Sequence, residues 1–273
     1  MLVGVRRGNE ERKNAKDSIM DLTGKTILVT GAGSGIGQAI AEAFSRSKAR
    51  VFLHDIEATT ADIARKMGGE FLPADLSDPA AVRELAAAAL ERSGGRIDIL
   101  VNNAGFQYVA KVEEFPEEVW MKIIQVMLVA PFQLIKALLP AMKQQGWGRI
   151  INVGSAHSVV ASPFKSAYIS AKHGLLGLTR CVALEAATFG VTVNTICPAY
   201  VRTPLVEKQI ADQAKVHGLS EDEVVKRIML EPAAIKRLIE PAEIADFVLY
   251  LCTEAAGIIT GSAQMLDLGW TAH

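Results

Sequence analysis

The apolar run Thr26-Ile27-Leu28-Val29-Thr30 passes without a spacer into Gly31-Ala32-Gly33-Ser34-Gly35-Ile36-Gly37, where a helical pattern begins. A strand that turns on glycines directly into a helix N-terminus admits few folds. The missing Cβ atoms allow close approach of a pyrophosphate, and the unpaired N–H groups of the first helical turn favour its charge. The feature predicts a dinucleotide-binding βα unit, with Gly31, Ser34, Gly35, Ile36 and Gly37 against the phosphates.

The rest of the chain repeats that rhythm. Short apolar runs at 26–30, 51–53, 71–72, 97–101, 149–153, 191–196 and 263–266 alternate with helical patterns at 37–47, 61–67, 79–92, 117–144, 166–187 and 241–253. Strands separated by helices imply an α/β fold: a Rossmann-type, doubly wound, seven-stranded parallel sheet with helices on both faces. A length of 273 residues with 50% hydrophobic side chains suits a single domain, placed at 21–273. Residues 1–20 are polar, carry Glu10, Glu11 and Asp17, and lack a secretory apolar core, so they read as a flexible extension. The mixed stretch 202–232 breaks the alternation after the sixth strand and reads as a lid over the strand ends, where open α/β sheets bind ligands.

Charge and cysteines narrow the partners. With 29 basic and 30 acidic residues the net charge is −1, so nothing draws the chain to nucleic acid or an anionic membrane, and no uninterrupted apolar run reaches the span-forming length of about 18. Cys181, Cys197 and Cys252 are far apart in apolar segments. They read as reduced core thiols of a cytoplasmic protein, with no metal motif.

Asp55 closes the second strand, 18 residues after Gly37, where a carboxylate accepts hydrogen bonds from the adenosine ribose and repels a 2′-phosphate. Ser34 is neutral and Ile56 follows Asp55, so the expected cofactor is NAD and not NADP. Tyr168 and Lys172 stand four apart in a helical pattern, on one face. An ammonium about 4 Å from a phenol, at an effective dielectric of about 20, is worth at most about 4 kcal/mol. That is an upper limit of about three pKa units on a phenol whose ordinary pKa is about 10. The pair therefore predicts acid–base work on a substrate hydroxyl.

These residues, with Asn102-Asn103-Ala104-Gly105, Ser155 and Pro198-Ala199-Tyr200-Val201, resemble the short-chain dehydrogenase/reductase family over residues 22–273. Within it the chain is similar to the bacterial D-3-hydroxybutyrate dehydrogenases in Gly105-Phe106-Gln107, Ser155-Ala156-His157, the run 161–168, the run 203–210 and Gly269-Trp270-Thr271-Ala272. The resemblance implies that Tyr168 is the general acid–base, that Lys172 lowers its pKa and holds the nicotinamide ribose, and that Ser155 orients the substrate oxygen. It also implies that Asp75 and Leu76 flank the adenine, that Asn102, Gly105, Pro198 and Val201 line the cleft, and that Thr203 touches the nicotinamide amide. Three positions depart from the family pattern: Met127 stands where an Asn commonly helps hold a relay water, Ala199 replaces a Gly, and Leu268 replaces the first Gly of Asp-Gly-Gly.

A 3-hydroxy acid brings a carboxylate that a closed pocket must meet with a cation and donors. Lys165, His157, Gln107 and Gln209 sit near expected strand ends or in the lid and can supply these. The expected reaction is reversible oxidation of (R)-3-hydroxybutyrate to acetoacetate. A dehydrogenase of another small hydroxy compound, a 3-oxoacyl thioester reductase and a weakly active NAD-binding sensor are the competing readings. The family implies a homo-tetramer, and the apolar patterns at 115–139 and 175–184 offer faces for one.

Overall fold

The structure, a computed structural model, describes residues 20–272. The extension expected over 1–20 lies outside the described residues but for Met20. Seven strands, β1 (Thr26–Thr30), β2 (Arg50–Asp55), β3 (Glu70–Pro73), β4 (Ile99–Asn102), β5 (Gly148–Val153), β6 (Val191–Pro198) and β7 (Ala263–Leu266), form one sheet in the order β3-β2-β1-β4-β5-β6-β7. Every pairing is parallel. The winding reverses between β1 and β4, which opens a crevice at the carboxyl ends of these strands.

Side-chain alternation along each strand divides the core in two. Leu28, Phe52, Leu100, Ile150 and Val193 face one way, against Val82 and Leu85 of α3 (Pro79–Ser93), Ile123 of α4 (Glu117–Ile124), Leu134 and Leu138 of α5 (Ala130–Gln145) and Val182 of α6 (Ser166–Ala186). Their neighbours Ile27, Val29, Val51, Leu53, Val101 and Ile151 face the other way. They meet Ile40 and Phe44 of α1 (Gly35–Arg46), Ala64 of α2 (Thr60–Met67), and Ile244 and Val248 of α9 (Pro241–Leu251). Helices on both faces are what the near-continuous apolar runs of the strands require.

β4 begins at Ile99, later than its apolar run suggests, because Asp98 breaks the run. Its buried carboxylate accepts the Thr26 N–H at 2.8 Å and pairs with Lys25 and Arg96 at the amino ends of the central strands. The long helix expected over 117–144 is two helices joined by a π turn, Gln125–Val129, in which Ala130 N–H reaches back five residues to the Gln125 carbonyl. Pro131 explains the widening: it has no N–H for the Met127 carbonyl, and its ring would collide with that group in a regular α-turn. By length and composition Glu117–Gln145 is apolar enough to cross a membrane, yet Ile123, Leu134, Leu138 and Met142 are buried in the core beneath it.

Stretch 202–232 forms α7 (Pro204–His217) and α8 (Glu221–Val224), the latter running into a second π turn, Val225–Met229. Val206, Ile210, Val224, Met229, Leu230 and Leu238 give it a small core of its own. Thr203 caps α7 by accepting the Val206 N–H, and Pro204 starts it, a combination that fixes where the helix leaves β6. Cys181 departs from expectation: it lies on the exposed face of α6 with Sγ on the Glu185 carboxylate, whereas Cys197 and Cys252 are buried.

Candidate active site

A cavity of about 480 Å³ occupies the crevice, between the carboxyl ends of the central strands and the start of α7. Gly31, Ser34, Gly35 and Ile36 floor one end of it. Gly31 and Gly35 have φ of +63° and +54°, where a side chain is strained, and a Cβ on either would press to within 2.8 Å of Ala104 or 2.9 Å of Thr203. Gly37 stands behind the turn, not in the lining; a Cβ there would collide with the Gly31 carbonyl and the Asn103 amide. The cradle at the α1 N-terminus therefore fits a pyrophosphate, and its glycines are required sterically.

Asp55 reaches the same cavity from the end of β2. Its Oδ2 accepts the Gly33 N–H at 2.8 Å and Oδ1 the Glu57 N–H at 3.2 Å, which holds the carboxylate at the rim beside exposed Ile56. Asp75 and Leu76 also line it. The Ser77 hydroxyl and N–H both donate to Asp75 Oδ1 and hold that carboxyl below its ordinary range. Asn102 does not line the cavity: its Nδ2 donates into the sheet, to Asn152 Oδ1 at 2.8 Å, and the residue is buried. Its neighbour Asn103 takes that place, with Nδ2 donating at 2.9 Å to the carbonyls of Thr30 and Gly31, so that it braces the glycine turn. Pro198, Val201 and Thr203 complete this wall, and Met127 lies beside Gly105 on the opposite one.

Ser155, Tyr168 and Lys172 meet at the other end of the cavity. Ser155 follows β5 and caps a short turn, accepting the His157 N–H at 3.2 Å. Tyr168 and Lys172 occupy consecutive turns of α6. Lys172 Nζ lies over the Tyr168 ring, 5.5 Å from its centre, and donates at 2.5 Å to the Val153 carbonyl. Burial pushes the Lys172 ammonium down to about 8. Burial also pushes the Tyr168 phenol up, against a hydrogen bond from Ser155 that lowers it. The expected acidification by Lys172 is therefore not what this arrangement gives: the ammonium sits over the ring face, and desolvation of the phenolate outweighs it.

None of the four residues expected at a substrate carboxylate lines that cavity; they form a second tier beside it. Gln209 of α7 donates to Gln107 Oε1 at 3.1 Å, tying the lid segment to the loop after β4, and Gln107 Nε2 is buried without a partner. Lys165 is half-buried at the α6 N-terminus, and burial lowers its pKa. Phe164 before it has φ +69°, unusual for an aromatic, and is held there by Ala110 N–H on its carbonyl. His157 is only 4% exposed, with Nε2 2.8 Å from Ser162 Oγ and Nδ1 3.4 Å from Ser155 Oγ. Each ring nitrogen of His157 thus has a serine hydroxyl within reach.

Sequence reasoning passed over Ser162, which leaves no signal beyond a hydroxyl in a loop. It also passed over the stack of Tyr200 on Trp270, with rings 5.6 Å apart and 12° from parallel. Two aromatics after the last two strands were the available sign. Leu268 takes φ +59°, the conformation its usual Gly would adopt freely, and its carbonyl still accepts the Ala234 and Ile235 N–H groups that anchor the lid's end.

Fold and cleft are those of an oxidoreductase of the short-chain type, and comparison with known proteins agrees. Residues 31–271 match the family profile described as Enoyl-(Acyl carrier protein) reductase. A D-beta-hydroxybutyrate dehydrogenase of Rhizobium meliloti is 48% identical over 257 residues, covering 91% of this chain and 99% of that protein. A second D-beta-hydroxybutyrate dehydrogenase, from Cupriavidus necator, is 42% identical over 92% of this chain and 100% of its own. An uncharacterized oxidoreductase of Bacillus subtilis is 43% identical over 91% of this chain and 99% of its own. The chain belongs to the short-chain dehydrogenase/reductase family.

Proposed function

We propose that this protein oxidises (R)-3-hydroxybutyrate to acetoacetate, and reduces acetoacetate in reverse, with NAD as cofactor. The observation that carries the reading is the convergence of Ser155, Tyr168 and Lys172 at one end of a cleft whose other end is closed by the Asp55 carboxylate. Two similar proteins bearing that activity's name support the choice of substrate.

NAD, when bound, supplies the electrophilic ring carbon that takes the substrate's hydride. The glycine cradle and the α1 N-terminus would hold its pyrophosphate, Asp55 its adenosine ribose, Asp75 and Leu76 its adenine, and Thr203 its amide. Lys172, pinned to the Val153 carbonyl, would hold the nicotinamide ribose. Tyr168 takes the proton from the substrate's 3-hydroxyl, and Ser155 donates to the oxygen left behind. Lys165 meets the carboxylate with charge, while Gln107 and Gln209 offer amide donors where lid and loop already touch. Burial raises the Tyr168 phenol, and the positive nicotinamide ring of bound NAD would act against that shift.

In the cell the protein would act in the cytoplasm as a homo-tetramer, assembled through exposed apolar side chains such as Met121, Phe132 and Leu184 on α4, α5 and α6. Incubating the protein with each enantiomer of 3-hydroxybutyrate and with NAD or NADP, and following reduced nicotinamide by absorbance, tests the assignment. Turnover is expected for the R enantiomer with NAD. Preference for NADPH and acyl-carrier thioesters would replace it with the thioester reductase.

A further inference from the structure

The sheet has a second hollow at its other end. A pocket of about 260 Å³ opens at the amino ends of β5 and β6, where Trp147, Arg149, Val191, Thr192, Glu254 and Gly257 line it. The cleft lies beyond the carboxyl ends of the same strands, and the two hollows share no residue.

Arg149 is the unusual member of this lining. It is only 3% exposed, and its guanidinium uses Nη1 on the carbonyls of Gly148 at 2.9 Å and Gly190 at 3.2 Å. Nε is buried without an acceptor, and Nη2, on the side of Gly257, meets none among the described residues. The cation lies 4.5 Å from the centre of the Trp147 ring, against which Lys25 Nζ also rests at 3.5 Å. Among the described residues no carboxylate pairs with it. Asp98 takes Lys25 and Arg96, and the exposed Glu254 receives the Trp147 indole N–H at 3.2 Å. Burial pushes the guanidinium's pKa down, yet an arginine stays charged in a protein. A buried cation without a counter-charge is strongly destabilising, and an anion entering the pocket removes that penalty.

The surroundings select the anion. One buried positive charge stands near one exposed negative charge, so a singly charged ligand is neutralised, whereas a dianion leaves excess negative charge beside Glu254. A carboxylate also matches the planar guanidinium in shape. Thr192 and Thr260 add hydroxyls to the lining, and Val191 and Trp147 give it apolar wall for a short aliphatic chain.

We propose that this pocket is a binding site for a small aliphatic monocarboxylate, with a carboxylate oxygen on Arg149 Nη2 and the chain against Trp147 and Val191. It is separate from the cleft, so the ligand binds together with NAD and without competing for it.

The Trp147 indole N–H stands in the pocket and reports on it, whereas Trp270 packs on His157 and Tyr200 near the cleft. In the ¹⁵N-labelled full-length protein saturated with NAD, the probe is butyrate, which has no hydroxyl to oxidise. It is expected to shift the Trp147 indole signal saturably at constant ionic strength, with a midpoint on the order of 1 mM. Gly257→Leu should abolish that shift and leave the rest of the spectrum in place. A Cβ at Gly257 stands 3.9 Å from Arg149 Nη2 with nothing nearer, so the longer side chain fills the anion's place. Glu254→Gln keeps an acceptor for the indole and should tighten butyrate about threefold by removing one solvent-screened like charge. A Trp147 signal that does not respond saturably, or that responds equally in a folded Gly257→Leu protein, overturns the proposal. Sulfate binding there as tightly as butyrate overturns the choice of a monocarboxylate. A shift of Trp270 alone would put butyrate in the cleft and count against the pocket.

Discussion

Lys172 Nζ sits 5.5 Å from the centre of the Tyr168 ring while donating to the Val153 carbonyl, so the cation is fixed by the end of β5 and not by the phenol. An ammonium so placed is buried without a carboxylate beside it, and its pKa falls from 10.5 to about 8. The unfolded chain therefore binds more protons than the folded one across that window. Stability contributed by this group rises as pH increases from about 8 to 10.5, by up to about 3 kcal/mol. Lys172→Met should be more stable than wild type at neutral pH, and the gap should close toward pH 10.5. Urea unfolding of both proteins over that range checks it; a gap independent of pH would show that the lysine is not buried as charge.

His157 gives the opposite limb. Its pKa falls from 6.5 to about 4 in the fold, chiefly by burial, so the unfolded chain protonates first as the solution is acidified. The group's stabilising contribution is complete above 6.5 and is lost as pH falls through about 4, a loss of about 3 kcal/mol at most. Replacing His157 by Asn should flatten the acid side of the stability profile. Thermal unfolding between these limits in both proteins is the measurement.

Asp55 should control the choice of cofactor. Its carboxylate lies at the cleft rim with Ile56 exposed beside it and receives its hydrogen bonds from backbone N–H groups. Asp55→Ala combined with Ile56→Arg is expected to weaken NAD by about tenfold or more and to strengthen NADP, since one charge-assisted pair is lost and another gained. Titration of each dinucleotide by calorimetry decides it; unchanged discrimination would mean that Asp55 serves only to hold Gly33.

The sheet was legible because its five inner strands are buried on both faces and are written as nearly continuous apolar runs, as in Ile27-Leu28-Val29 and Ile150-Ile151. The glycine turn, Asp55 and the Ser155, Tyr168 and Lys172 set were legible because their backbone conformation or spacing leaves few other uses. Less could be read where neighbours compete. Asn102 and Asn103 are chemically identical, and only the pleat at the end of β4 decides which one turns into the sheet. The π turn before Pro131 and the enclosure of His157 depend on close packing that a pattern of residue types does not carry. Cys181 was misplaced because α6 is apolar on more than its buried face, with Leu184 84% exposed three residues on.

In the proposed reaction Tyr168 is the group that accepts the substrate's proton. Single-turnover hydride transfer in Tyr168→Phe, with NAD affinity measured on the same preparation, tests this most directly. The prediction is a fall of about 10² to 10⁴ in rate, the usual worth of general acid–base assistance, with NAD still bound. Wild-type rates in the variant would contradict it.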